Sequence, residues 1–299
     1  MTDAVTTSFV STNGISLEVA QCGTGDRLAL LLHGFPESNY SWRHQMPMLA
    51  RLGYRVWAPN LRGYGRSSRP PRVKDYQIDQ LLADVAGLID ASGARETVLI
   101  AHDWGAIIAW MFAIRKVRPL ARLVIMNVPH PLCLQREMRT MAQLRKSWYM
   151  FFFQIPWLPE AMLASKGAEA IGRAFTDMAV DKSRFPAPVV QEYRNNARQP
   201  GAMRAMINYY RAAMRAGSVM FPQPGLVDVP TLMIWGESDS ALGKATTFGT
   251  EAYVRDLTLR YLPGVSHWVQ QEAPEKVNAM LEAWLTGQPV PVEGEVLQG

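Results

Sequence analysis

In the stretch "LIAHDWGA" an apolar run turns abruptly at Asp103, with Ala101 two positions before it and Gly105 two after. A strand that turns sharply into a helix brings those two neighbours together, so only small side chains fit, and the apex residue is held where it can react. An acid at such an apex has a bland reading, as a helix cap or turn residue. The chemical reading is that the acid is itself the nucleophile. A carboxylate with an ordinary pKa of about 3.9 is ionised at neutral pH and needs no base before it attacks. A serine there would demand an acyl substrate, whereas an aspartate permits attack at an alkyl carbon.

Three further stretches decide between the two. "LLLHGFPES" places His33, Gly34, Phe35 and Pro36 directly after a buried apolar run. The backbone N–H of Phe35 there, together with that of Trp104, would form an oxyanion hole. "LMIWGESDSALG" ends an apolar run with Glu237 and Asp239 in the following loop, and "PGVSHWVQQEAPE" carries His267 just before the final helix. The order is nucleophile, acid, histidine, with two acids competing for the middle role. The other histidines have structural readings: His33 and His102 flank turn glycines and hydrogen-bond locally, His44 lies on a surface helix, and His130 sits at a junction. His267 alone stands where a base is needed.

The elements that must position these residues follow from periodicity. Residues 7–22 alternate apolar and polar around Asn13-Gly14, a hairpin signal. "RLALLLHGFP" is a near-continuous apolar run, as expected of a strand buried on both faces. "QLLADVAGLIDASG" puts Leu81, Leu82, Val85, Leu88 and Ile89 on one helical face and stops at Gly93. Strands alternating with helices imply the α/β class, with a mostly parallel, doubly wound sheet. From Pro131 the rhythm changes to helices rich in Met, aromatics and Arg, interrupted by Pro156, Pro159, Pro186, Pro188 and Pro200. It resumes at "VPTLMIWGESD". The domain organisation expected is therefore a core of residues 1–130 and 225–299 with a helical cap, 131–224, inserted between two strands. Within the cap, Phe151, Phe152, Phe153 and Trp157 read as core or pocket wall. The tail from Gln288 reads as a loose surface strap.

Composition sets the outer bounds. The 299 residues are 48% apolar and 19% charged, enough for a large core, and the net charge of +5 is spread along helices rather than clustered with aromatics. Nucleic-acid binding is not expected. The two cysteines, Cys22 and Cys133, lack ligand spacing, so neither a disulfide framework nor a metal site is expected, and a reducing, cytoplasmic setting is. No signal peptide and no membrane span are read, and no cofactor. Monomer and homodimer both stay open, an exposed apolar cap face being suited to the latter.

Over nearly its full length the sequence resembles the α/β-hydrolase-fold epoxide hydrolases. The resemblance is carried by "HGFPES", "RGYGRSS", "HDWGA", "WGESD" and "GVSHW", with two tyrosines in the insert. It implies that Asp103 forms a glycol ester and His267 activates water. It further implies that Asp239 orients His267, with Glu237 the competitor, and that two cap tyrosines grip the epoxide oxygen. "SWYMFFFQIP" points to Tyr149, five residues before Gln154, and "INYYRAAM" to Tyr210, with Tyr209 the fallback. The implied partners are a small apolar epoxide and water. A haloalkane dehalogenase is similar at "HDWG", but Phe35 stands where that family often has an asparagine donor. Trp148 and Trp157 keep this alternative open. A non-catalytic interaction module on the same fold would be expected to lose a member of the triad, and none is lost.

Overall fold

A computed structural model describes residues 4–217 and 225–292. Thr6–Thr12 (β1) and Ile15–Cys22 (β2) form the predicted hairpin, with Thr12 opposite Ile15 and both turn residues, Asn13 and Gly14, at positive φ (46° and 72°). Two successive left-handed residues match the twist of the paired strands, which is why Asn-Gly suits the position. Asn13 also reaches across to Asp84, its Nδ2 donating to Oδ1 at 3.0 Å.

The remaining strands are Arg27–Leu32 (β3), Tyr54–Pro59 (β4), Glu96–His102 (β5), Arg122–Met126 (β6), Thr231–Gly236 (β7) and Leu257–Leu262 (β8). They complete an eight-stranded sheet in the order β1-β2-β4-β3-β5-β6-β7-β8. All pairings from β4 across to β8 are parallel, and the two at the β1 edge are antiparallel. Along β3 the side chains alternate between two cores. Leu28, Leu30 and Leu32 join one cluster and Ala29 and Leu31 the other, all of them fully buried. The first cluster is closed by Ile78–Ser92 (α2) and Trp104–Ile114 (α3), the second by Met46–Arg51 (α1) and the C-terminal helix Pro274–Leu285 (α11). A sheet covered on both faces explains why its strands read as unbroken apolar runs.

Between β6 and β7 run Pro131–Glu137 (α4), Met141–Lys146 (α5), Trp148–Phe152 (α6), Leu158–Met178 (α7), Ala187–Ala197 (α8) and Ala202–Ala216 (α9). Positions 218–224, where the expected insert ends, lie outside the described residues. Several prolines start helices rather than break them: Pro131, Pro159 and Pro188 sit in the first turns of α4, α7 and α8, where a missing N–H costs nothing. The one sharp break, at Ser165–Ala168 inside α7, involves no proline, and three of its residues take left-handed angles. Phe153, Phe175, Tyr209 and Tyr210 share one apolar cluster with β3, β5 and α3, so the insert packs directly against the core.

Two local expectations are corrected. His44 lies in an exposed turn before α1, not on a helix. The tail is not loose as far as Val292, because Val290 is buried and Arg260 donates to the carbonyls of Val290 and Pro291 at 3.1 and 3.2 Å. No helix among the described residues is long and apolar enough to cross a membrane.

Candidate active site

The turn after β5 is strained where the sequence places its acid. Asp103 has φ 48° and ψ −123°, a conformation that bulky residues avoid, and its side chain makes no helix-capping bond. The bland reading of a cap is therefore not what the side chain does. Two glycines make the turn possible. A Cβ on Gly105 would lie 2.2 Å from the Leu32 carbonyl oxygen, and one on Gly34 would lie 2.2 Å from the Asp103 Cβ. Nine of the eleven residues of α3 are buried, so the helix that anchors the turn is held on nearly every side.

The carboxylate is gripped from two directions. The Phe35 N–H donates to Oδ1 at 2.6 Å, and His267 Nε2 lies 3.4 Å from Oδ2. Burial opposes ionisation of Asp103, but the imidazoles of His267 and His102 and the Phe35 N–H outweigh it and lower its pKa. Trp104 begins α3, so its N–H is among those that the helix itself cannot satisfy. Of the two N–H groups expected to form an oxyanion hole, that of Phe35 donates to the carboxylate and that of Trp104 begins the helix that follows it.

His267 follows β8 in the loop before Val269–Glu272 (α10), and its Nδ1 meets Asp239 Oδ2 at 2.7 Å. Asp239 follows β7 and is buried. Its Oδ1 accepts from the N–H groups of Ala241 and Leu242 at 2.7 and 2.9 Å, and Oδ2 also accepts from Asn127 Nδ2 at 2.9 Å. Glu237, the competing acid, turns away into an ion pair with Lys244. Burial disfavours the imidazolium, yet the two carboxylates around it prevail and raise the His267 pKa to about 10. With only Asp103 and Asp239 contributing charge so closely, removal of either would release much of that hold.

The tyrosines separate just as clearly. Tyr209 is fully buried and its hydroxyl donates to the Arg62 carbonyl at 2.8 Å, so it serves packing. Tyr210, the next residue on α9, turns its ring edge-on to Trp104, Phe35 and Tyr149 at 5.0, 5.4 and 5.8 Å between centroids. Burial and the Asp103 charge both push the phenols of Tyr149 and Tyr210 above their ordinary pKa, so both remain hydrogen-bond donors at neutral pH. Contacts among Asp103, His267, Asp239 and the Phe35 N–H, and among the rings of Phe35, Trp104, Tyr149 and Tyr210, thus bring together six separate points of the chain.

Sequence reading missed a buried polar group behind this space. Glu37, within "HGFPES", is completely buried, and its Oε2 accepts from the Gly34 N–H at 2.9 Å and meets His102 Nδ1 at 2.8 Å. Its Oε1 accepts from the side-chain amides of Gln270 and Gln271 at 2.8 and 2.7 Å. The other ring nitrogen of His102 donates to the His267 carbonyl at 2.8 Å. His102 is therefore not a local turn residue. It joins the turn at Asp103 to the loop of Glu37 and the loop of His267, which lie 65 and 165 residues from it in sequence. Asn127, at φ 48°, was likewise unread; it links Gly236 to Asp239 and fixes the acid's loop to β6.

Comparison with known proteins identifies the family. Residues 30–274 match the family model of the alpha/beta hydrolase fold. The chain is 37% identical to the AB hydrolase superfamily protein YfhM of Bacillus subtilis over 96% of this chain and all of that protein. It is also 37% identical to human epoxide hydrolase 4, over 89% of this chain and 74% of the relative. Among solved structures, an inhibitor complex of Bacillus megaterium epoxide hydrolase superposes with a TM-score of 0.87 at 31% identity, covering 93% of this chain and 100% of that one. The chain belongs to the α/β-hydrolase-fold epoxide hydrolase family.

Proposed function

We propose that the protein hydrolyses epoxides to vicinal diols in two steps through an ester on Asp103. The observation that carries this reading is the placement of an ionised carboxylate between a histidine base, His267, and two protonated phenols, Tyr149 and Tyr210. With Oδ1 held by the Phe35 N–H, Oδ2 is the oxygen available to attack a ring carbon. As that C–O bond forms, the ring C–O bond breaks and the departing oxygen takes a proton from the phenols. An alkoxide leaves poorly without such help. Esterification removes the charge of Asp103, so the imidazolium of His267 loses one of its two carboxylates and gives up its proton, which restores the phenol that protonated the departing oxygen. Neutral His267 then takes a proton from water, whose oxygen adds to the Asp103 carbonyl carbon. The N–H groups of Phe35 and Trp104 stabilise the oxyanion until the diol oxygen is expelled and protonated. Helices α4–α9 act as the cap that supplies the phenols and covers the reaction.

A dehalogenase would use the same acid and base but needs donors for a departing halide. Trp148 and Trp157 are 62% and 83% exposed, so neither indole is directed into the site. Incubation with styrene oxide should therefore give the diol, and incubation with 1-bromobutane should release no bromide above the rate without protein. Bromide release without diol formation would move the assignment to a dehalogenase.

The acid that orients His267 gives a second prediction. Asp239→Asn keeps a hydrogen-bond acceptor but removes the charge that supports the imidazolium, so ester hydrolysis should slow at least about tenfold while ester formation persists. Glu237→Gln breaks only the partly exposed pair with Lys244 and should leave turnover within about twofold. Pre-steady-state kinetics separates the two steps. A reversed pattern would assign the role to Glu237.

A further inference from the structure

Half of the large apolar side chains that are exposed among the described residues come from one corner of the insert, residues 141–162. Six of them, Trp148, Phe151, Ile155, Trp157, Leu158 and Met162, lie within fifteen consecutive positions where α6 turns into α7. Trp157 is the extreme case: it is 83% exposed and stands at φ 61°, an angle that is unfavourable for a bulky residue. Apart from Tyr149, which turns inward, nothing in the catalytic arrangement uses this corner. The neighbouring Tyr149 faces the site while Trp148 and Phe151 face outward.

Cations outnumber acids around the corner, and the flanking acids Glu137 and Glu169 are paired with Arg136 and Arg173. Arg139, Arg145 and Lys166 are exposed in the same stretch, and at the break in α7 Arg194 donates to the carbonyls of Lys166 and Gly167 with Arg198 alongside. The single acid between residues 139 and 166, Glu160, is taken up by Arg211. Two copies of the chain meeting through this corner on a two-fold axis would set cationic rims against each other. An anionic surface has the complementary charge. Tryptophan is the residue that best tolerates the boundary between headgroup and acyl chain, and bulky apolar side chains beside arginine and lysine are the pattern of interfacial binding.

We infer that this corner of the insert, Trp148 to Met162 with its flanking cations, docks the protein peripherally on a bilayer surface bearing anionic headgroups. Docking there leaves the sheet and the catalytic residues outside the lipid, with the apolar corner seated at the headgroup boundary. The inference does not rest on the epoxide reading, because binding is measured without substrate.

The test is flotation of the full chain with vesicles of phosphatidylcholine containing phosphatidylglycerol, compared with phosphatidylcholine alone. The protein should float with the anionic vesicles and less so with the neutral ones, and raised salt should weaken the association. Arg145→Gln should reduce partition about fivefold, the effect of one cation near an anionic leaflet. Trp148→Ser combined with Trp157→Ser should reduce it further with an unchanged melting temperature, since both side chains are exposed. In the unmutated protein, brominated lipid should quench tryptophan fluorescence, a readout that depends on no variant. Absence of flotation and of quenching would overturn the inference. So would a double variant that converts a dimer to a monomer while vesicle binding is unaffected, which would make the corner a contact between copies.

Discussion

Replacing both cap phenols, Tyr149→Phe with Tyr210→Phe, should bring ester formation close to a halt while leaving the protein folded. Each phenol is held protonated by burial and by the Asp103 charge, and each ring forms part of the same aromatic wall. A hydrogen bond to developing charge is worth about 1.5–3 kcal/mol, so each single change should slow ring opening about tenfold to a few hundredfold. In the proposed mechanism the two phenols act on one oxygen. The double change then loses on the order of a hundredfold to ten-thousandfold, and either phenol alone retains part of the rate. Phenylalanine keeps the packing of both rings, so stability should change little. Tyr209→Phe is the contrasting case, because its hydroxyl holds the Arg62 carbonyl rather than facing the site. That change should cost about 1 kcal/mol of stability and leave the rate of alkylation nearly intact. Single-turnover alkylation at unchanged rate in the Tyr149/Tyr210 double variant would remove both from the mechanism.

The features legible in the sequence are those set by neighbours along the chain. The small residues around Asp103, the Asn13-Gly14 turn and the stop at Gly93 each answer to a steric demand within a few residues, and each takes the form expected of it. The choice between Asp239 and Glu237 was not local. Both follow β7 at nearly the same distance, and only the partners Asn127 and Lys244, brought from β6 and from further along the loop, divide their roles. The group built on Glu37 was illegible for the same reason, since its partners His102, Gln270 and Gln271 lie far apart in the sequence. The aromatic run in the insert shows a further limit. Phe153 is buried, Phe152 is half-buried, and Phe151 and Trp157 are exposed, so the expectation of core or pocket wall holds for only part of it. A five-residue helix such as α6 is too short for its periodicity to reveal which face turns inward.

Three loops bearing on the reaction share the buried carboxylate of Glu37, which accepts the Gly34 N–H directly and reaches the His267 backbone through His102. Burial alone would raise the pKa of Glu37, but His102, the Gly34 N–H and His33 hold it below the ordinary range. A carboxylate buried with this many donors fixes geometry, because any movement of one loop leaves a charge without a partner. This accounts for how residues from distant parts of the chain keep Asp103 and His267 in register.

The separation of the two chemical steps rests on His267, and so does the most direct measurement. Asp103 needs no base to remove a proton at the moment of attack, and the Phe35 N–H and His102 still favour its charge when His267 is replaced, so His267 should be dispensable for ring opening and required for hydrolysis of the ester. A serine-based hydrolase differs, since loss of its histidine disables the first step as well. His267→Gln mixed with a reactive epoxide should lose turnover and accumulate a covalent adduct. Intact-mass spectrometry should show protein plus the full mass of the substrate, and peptide mapping should place it on Asp103. Failure of the variant to form any adduct, while the unmutated enzyme still makes diol from the same epoxide, would contradict the covalent mechanism.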